Sequence, residues 1–120
     1  MVVYESKTGN VERFIQRLPM KSMKVSPELK VGEPFVLVTY TTGFGQVPES
    51  VTRFLERNSR NLVGVAASGN RNWGQNFALS ADIIASNYDV PVISKFEMFG
   101  TEQDIETFIE GVKQLETHTA

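Results

Sequence analysis

Ser6, Lys7, Thr8, Gly9, Asn10 and Val11 follow directly on the apolar, β-prone stretch Met1–Tyr4, and an amphipathic stretch begins at Val11. A strand, a hydroxyl-rich turn with one glycine and then a helix make a site for an anion. Backbone N–H groups at the turn and helix start converge on one spot, and the helix dipole favours negative charge there. Ser6 and Thr8 add hydroxyl donors, and Gly9 lets the backbone come close to a ligand. Phosphate is the natural guest. The stretch is not a P-loop, because the Gly-Lys-Ser/Thr ending is absent. As a bare motif it would equally serve as a helix-capping turn, with Lys7 solvated.

Two further segments have the same character. Tyr40-Thr41-Thr42-Gly43-Phe44-Gly45-Gln46-Val47-Pro48 and Ser68-Gly69-Asn70-Arg71-Asn72-Trp73-Gly74 are rich in Gly, hydroxyl and amide groups. Trp73, Phe44 and Tyr40 offer aromatic faces to a flat ligand. Asn70 and Asn72 could read the polar edge of a ring system. Phosphate plus a flat polar heterocycle points to FMN, ahead of a mononucleotide such as AMP. No G-x-G-x-x-G follows the first strand, so a dinucleotide is disfavoured. Taken singly, Gly43-Phe44-Gly45 is an ordinary tight turn and Trp73 an ordinary packing residue. Their common location has to carry the argument.

The elements that position these segments follow from apolar spacing. Met1–Tyr4 is a first strand. Val11, Phe14, Ile15 and Leu18 mark one face of a helix. Met20–Val25 is a weak strand flanked by lysines, as suits an edge. Phe35–Tyr40 is a continuous apolar run, typical of a parallel strand covered on both sides. Pro48 opens a helix that buries Val47, Val51, Phe54 and Leu55. Leu62–Ala67 is a buried strand. Phe77, Ala81, Ile84, Ala85 and Tyr88 form a helix face. Val90–Ser94 is the last strand, with Pro91 tolerable near its start. Thr101–Asp104 reads as a variant capping box before a closing helix that buries Ile105, Phe108, Ile109 and Val112. Helix is lacking or very short between the second and third strands.

This alternation predicts a doubly wound α/β fold, a five-stranded parallel sheet with helices on both faces. Its length suits the flavodoxin-like order 2-1-3-4-5. In such sheets ligands sit beyond the carboxyl ends of the strands, and all three unusual loops fall on that edge. Turns at the other end, Pro27–Lys30 and Arg57–Arg60, read as plain.

Composition narrows the chemistry. The 120 residues suit one domain, spanning 1–120, and net charge is −2, which argues against nucleic acid. No apolar run is long enough to span a membrane, and no signal peptide is evident, so the expected location is the cytoplasm. There is no cysteine and one histidine, His118, set in a polar tail where solvation is expected. Thiol catalysis, disulfides and Cys-held iron–sulfur clusters are excluded, and no metal site is expected. No side chain is assigned as catalytic, so any chemistry falls to a cofactor.

Ser6-Lys7-Thr8-Gly9-Asn10 resembles the flavodoxin phosphate loop. Together with Thr41–Gly45, Ser68–Gly74 and Phe96-Glu97-Met98-Phe99-Gly100-Thr101, it resembles the NrdI family over essentially the whole chain. The resemblance implies one non-covalent FMN. Reduced, such a protein passes reducing equivalents to O2. The superoxide formed allows the dimanganese–tyrosyl radical cofactor of the class Ib ribonucleotide reductase small subunit to assemble. A separate partner, not identified by the sequence, must reduce the flavin.

Carried over by position, Ser6, Lys7, Thr8, Gly9, Asn10 and Val11 hold phosphate. Tyr40, Thr41, Thr42, Gly43, Phe44 and Gly45 border the reactive part of the flavin, and Gly43, Phe44 and Gly45 tune it. Ser68, Gly69, Asn70, Trp73 and Gly74 close the other side. Glu97, Met98, Phe99, Gly100 and Thr101 lie at the rim where the partner docks. Many flavodoxins have a hydroxyl residue where Val11 stands, so one donor to phosphate is missing. The Thr41–Gly45 loop lacks acidic residues, which favours the anionic reduced flavin and predicts closely spaced one-electron potentials.

The nearest rival is a general electron-carrier flavodoxin serving another redox partner. A receiver domain shares the strand order but needs acidic residues where Glu5-Ser6 and Tyr40-Thr41 stand. A cysteine-dependent phosphatase lacks its nucleophile. A cofactor-free binding module would be colourless.

Overall fold

The computed structural model describes residues 1–43 and 45–119. Five strands, β1 (Val2–Tyr4), β2 (Ser22–Lys24), β3 (Phe35–Tyr40), β4 (Leu62–Gly69) and β5 (Val92–Glu97), make one sheet. Every pairing is parallel, and the order is β2-β1-β3-β4-β5, as expected. Four α-helices connect and close it: α1 (Asn10–Gln16), α2 (Glu49–Asn58), α3 (Leu79–Tyr88) and α4 (Glu102–Thr119).

Alternation along the strands divides the core. Val3, Phe35, Leu37, Val65 and Ala67 pack beneath α2 and α3 against Val51, Phe54, Leu55, Ala81 and Ile84. Val2, Val36, Val38, Ala66 and Phe96 face α1 and α4 through Phe14, Ile15, Ile105, Phe108 and Val112. Both sheet faces are therefore covered, which explains why β3 reads as an unbroken apolar run. β2 is exposed throughout, a short edge. The Thr101–Asp104 capping box is formed reciprocally. Asp104 N–H donates to Thr101 Oγ1 (3.1 Å) and Thr101 N–H to Asp104 Oδ2 (2.8 Å).

Several boundaries differ from the pattern. α1 stops at Gln16, and Leu18 is held by a tighter turn to Ile15 O (3.0 Å). α3 begins at Leu79, because Ala78 before it takes a left-handed conformation (φ 49°). The last strand is displaced towards the C-terminus. Val90 N–H closes the end of α3 on Ala85 O (3.1 Å), so it cannot join the sheet, and β5 starts at Val92. β4 runs on through Ser68 and Gly69, which pair with Phe96 and Glu97. These two residues, expected in a loop, are strand.

No helix joins β2 to β3; a turn at Pro27–Glu28 leads into an extended segment. That segment is held by buried Asn58, whose Oδ1 accepts from Val31 N–H (2.8 Å) and whose Nδ2 donates to Leu29 O and Phe54 O (both 3.0 Å). Asn61 Nδ2 adds a bond to Val31 O (2.8 Å). The turn that reads as plain is thus an anchor.

Candidate functional site

The loops after β1, β3 and β4 converge with the end of β5 on a cleft of about 570 Å³ at the carboxyl edge of the sheet. Its lining comprises Ser6, Lys7, Thr8, Asn10 and Val11; Tyr40, Thr41, Thr42 and Gly43; Ser68, Gly69, Asn70, Asn72 and Trp73; and Glu97 and Met98. Clefts of about 300–1,000 Å³ are the size that small-molecule and cofactor ligands use. Among the described lining residues the charged side chains are Lys7 and Glu97.

The first loop is pinned by Ser6, whose Oγ accepts from Glu12 N–H (3.2 Å). The hydroxyl therefore caps α1 and still keeps its own proton to donate. Gly9, at the N-cap of α1 with φ 90°, has no side chain with which to cap the helix itself. α1 is only seven residues long, so hydroxyls, amides and Lys7 count for more here than a helix dipole. Glu5, just outside the cleft, accepts from Ser6 N–H (3.1 Å) and from Ser50 Oγ (2.8 Å).

The β4 side is built by a 3₁₀ segment, Arg71–Asn76, that sequence periodicity does not signal. Asn70 Oδ1 accepts from Asn72 N–H (2.9 Å) and shapes its start. Ser68 Oγ donates to Met98 O (3.0 Å), and Glu97 Oε2 accepts from Arg71 N–H (3.0 Å), so the β4 and β5 ends are tied together. The displaced β5 thereby brings the Glu97 carboxylate, expected at the partner rim, into the lining of the cleft. Trp73 stays 37% exposed while lining the cleft, which leaves an indole face for a ligand.

Some expected residues lie elsewhere. Gly45 is buried against Leu79, and Gly74 is exposed outside the lining. Phe44 lies outside the described residues, as does the side chain of His118. Of the rim residues, Met98 and Glu97 reach the cleft. Exposed Phe99 carries the guanidinium groups of Arg13 and Arg17 at 5.7 and 5.8 Å from its ring centre. Arg17 also donates to Phe99 O and to Gly100 O (2.9 Å). Gly100 is buried and Thr101 caps α4. Ser80 on α3, which the sequence does not single out, sits behind the β3 loop, 2.8 Å from Thr41 Oγ1. Among the described residues no group of three or more His, Asp or Glu could hold a metal ion, and no helix could cross a membrane.

Burial, and then the Glu5 carboxylate, pushes the Tyr40 phenol above its ordinary value of 10.0. Burial does the same to Tyr4, helped by the charge and hydrogen bond of Glu12 and by the charge of Glu5. Both rings therefore stay protonated at neutral pH. Because the folded state holds these protons more tightly than the unfolded chain, their stabilisation is complete below pH 10.0 and is lost as pH rises through the folded values. Chemical unfolding at stepped pH should show stability falling in the alkaline range, with tyrosinate absorbance lagging behind that of the unfolded chain. Coincident folded and unfolded titrations would refute it.

A model described as NrdI flavodoxin-like matches residues 2–110. The chain is 52% identical over 120 residues to Protein NrdI of Bacillus licheniformis, covering 99% of this chain and 92% of that one. It is 46% identical over 121 residues to Protein NrdI of Macrococcus caseolyticus, covering 99% and 94%. The SPbeta prophage-derived protein NrdI of Bacillus subtilis is 37% identical over 121 residues, with 98% and 94% covered. Among solved structures, a short-chain flavodoxin associated with a bacterial microcompartment superposes with a TM-score of 0.74 at 20% identity, covering 99% and 97% of the two chains, a likeness of fold. Sheet order, cleft and these relatives agree, and the chain belongs to the NrdI flavodoxin-like family, which implies a flavin cofactor.

Proposed function

We propose that residues 1–120 form one FMN-binding domain that supplies an oxidant to ribonucleotide reductase. In this reading the protein, reduced by a separate partner in the cytoplasm, converts O2 to superoxide. That superoxide assembles the dimanganese–tyrosyl radical cofactor of the class Ib small subunit. Family membership supports the role. The observation that carries it is the cleft of about 570 Å³ on which the hydroxyl- and amide-rich loops converge.

The residues present fit FMN. Ser6, Lys7, Thr8, Gly9, Asn10 and Val11 would hold the phosphate, with three side-chain donors and one cation among them. Tyr40 to Gly45 would border one side of the ring system and Ser68 to Gly74 the other, where Trp73 offers a stacking face. When bound, FMN supplies the one- and two-electron redox chemistry that these side chains lack. The chain's own contribution is placement and polarity. Tyr40 keeps its proton, so the β3 wall presents a neutral hydroxyl. Arg71 N–H holds the Glu97 carboxylate, which limits the repulsion it exerts on an anionic ligand. Met98 at the cleft and its neighbour Phe99 leave apolar surface exposed, with Arg13 and Arg17 over the Phe99 ring, a composition that suits a docking rim.

The test is assembly. The protein should purify with, or take up, one FMN. Added in reduced form with O2 to a manganese(II)-loaded class Ib small subunit, it should produce the tyrosyl radical signal in electron paramagnetic resonance. A colourless protein that refuses FMN would remove the cofactor assignment. A flavin-bearing protein that generates no radical would favour a general electron carrier.

A further inference from the structure

Ser80, the second residue of α3, is fully buried. Its Oγ donates to Tyr40 O at 3.2 Å and lies 2.8 Å from Thr41 Oγ1, a pair in which either oxygen can be the donor. Tyr40 O accepts a second bond from Thr39 Oγ1 at 3.1 Å. The carbonyl thus keeps a partner when Ser80 turns its proton elsewhere, so the turn leaves no orphaned acceptor.

The same heavy atoms therefore support two hydrogen arrangements. In one, Thr41 donates to Ser80 and Ser80 to Tyr40 O, leaving Thr41 lone pairs available to the cleft. In the other, Ser80 donates to Thr41, and the Thr41 proton becomes available instead. The start of α3 lies close against both loops. A Cβ on Gly45 would stand 2.7 Å from Leu79 Cδ2, and one on Gly69 would stand 2.5 Å from Ala78 N. The two arrangements differ in where the hydroxyl hydrogens point.

We propose that Ser80 and Thr41 form a two-position hydroxyl pair that offers the ligand an acceptor or a donor according to the ligand's protonation, with Ser80 a positioning residue for redox tuning. The proposal rests on the FMN reading above. Oxidised flavin has a bare ring nitrogen, an acceptor; reduction adds a proton there and makes it a donor. A fixed hydroxyl donor would suit only the first form. The pair serves both, and no proton leaves either residue because both hydroxyls only rotate.

Ser80→Ala deprives the Thr41 proton of its partner only in the arrangement that accepts from the ligand, so the reduced form should suffer more. Affinities for oxidised and reduced FMN and the two-electron midpoint potential are measured in the parent, Ser80→Ala, Thr41→Ser, Thr41→Val and the double variant Ser80→Ala/Thr41→Val. We expect Ser80→Ala to lower the reduced-to-oxidised affinity ratio about tenfold, the cost of roughly one orphaned donor, and the midpoint by about 30 mV. Thr41→Ser, which keeps both hydroxyls, should hold the parent ratio. In the Thr41→Val background, Ser80→Ala should add no further shift.

A Ser80→Ala protein that is less stable but has the parent midpoint would overturn the proposal, leaving Ser80 a packing residue. So would an equal shift with and without the Thr41 hydroxyl. If Ser80→Ala does not fold, an altered ratio in Thr41→Ser stands as the overturning result and a preserved ratio as the supporting one. A parent protein that binds no FMN in either redox state overturns both this and the functional reading; bound FMN with an indifferent Ser80 overturns this alone.

Discussion

Replacing Phe14 by alanine is expected to cost about 3–5 kcal/mol of folding stability. The Phe14 ring is fully buried, stacked on Phe96 with centroids 4.0 Å apart, and meets Phe108 edge-on at 5.5 Å. Three elements, α1, β5 and α4, therefore share one aromatic cluster, and loss of the ring opens a cavity where all three meet. A domain of ordinary stability, about 5–15 kcal/mol, would lose a large part of it. Denaturant unfolding checks this through a lower midpoint at unchanged slope. α1 also carries Asn10 and Val11, the end of the loop after β1, so on the FMN reading cofactor affinity should fall together with stability. A loss below about 1 kcal/mol would mean that the cluster collapses freely, contrary to the usual cavity cost.

Gly69→Val should be the most damaging single change to the cleft itself. A Cβ there would stand 2.5 Å from Ala78 N and 2.9 Å from Ala78 Cα. Both obstacles are backbone, so no rotamer change relieves the contact. Ala78 already sits at φ 49°, which leaves little conformational room to yield. The expected destabilisation is about 1–3 kcal/mol, the range for overpacking. A displaced wall should cut FMN affinity by about tenfold or more, at about 1.4 kcal/mol per factor of ten. Flavin titration alongside thermal unfolding separates the two effects. Parent affinity in a folded variant would show that the β4 wall does not contact the ligand.

The sheet is legible in the sequence because its central strands, β3 and β4, are covered on both faces. Val36–Val38 and Val65–Ala67 leave no polar position to confuse the pattern, and helix faces such as Phe14 with Ile15 and Phe54 with Leu55 recur at helical spacing. The loops that line the cleft stand out for the opposite reason, since runs of Gly, Thr, Ser and Asn suit turns better than packed strands, although Ser68 and Gly69 extend β4. What periodicity misses is decided by contacts far along the chain. Val90 looks like a strand residue and instead ends α3, because the left-handed Asp89 turns its N–H back to Ala85 O. Glu97 enters the cleft only because β5 is displaced. Asn58 resembles any turn asparagine until its amide is seen spanning to Val31 and Leu29. Ser80 gives no local signal, for its partners lie about forty residues earlier.

The strand order has a consequence for folding. β1 precedes both of its sheet neighbours, β2 and β3, in the chain, and its parallel pairing with each needs a crossover to form first. Such non-local contacts form slowly compared with helical ones. The cleft draws its walls from segments between Ser6 and Met98, so no partial chain that stops short of β5 encloses it. Cofactor loading is then an event of the finished fold. On the FMN reading proposed above, a nascent chain emerging from the ribosome would have nothing with which to hold the cofactor, and the ligand would act by trapping a sheet already closed rather than by nucleating it.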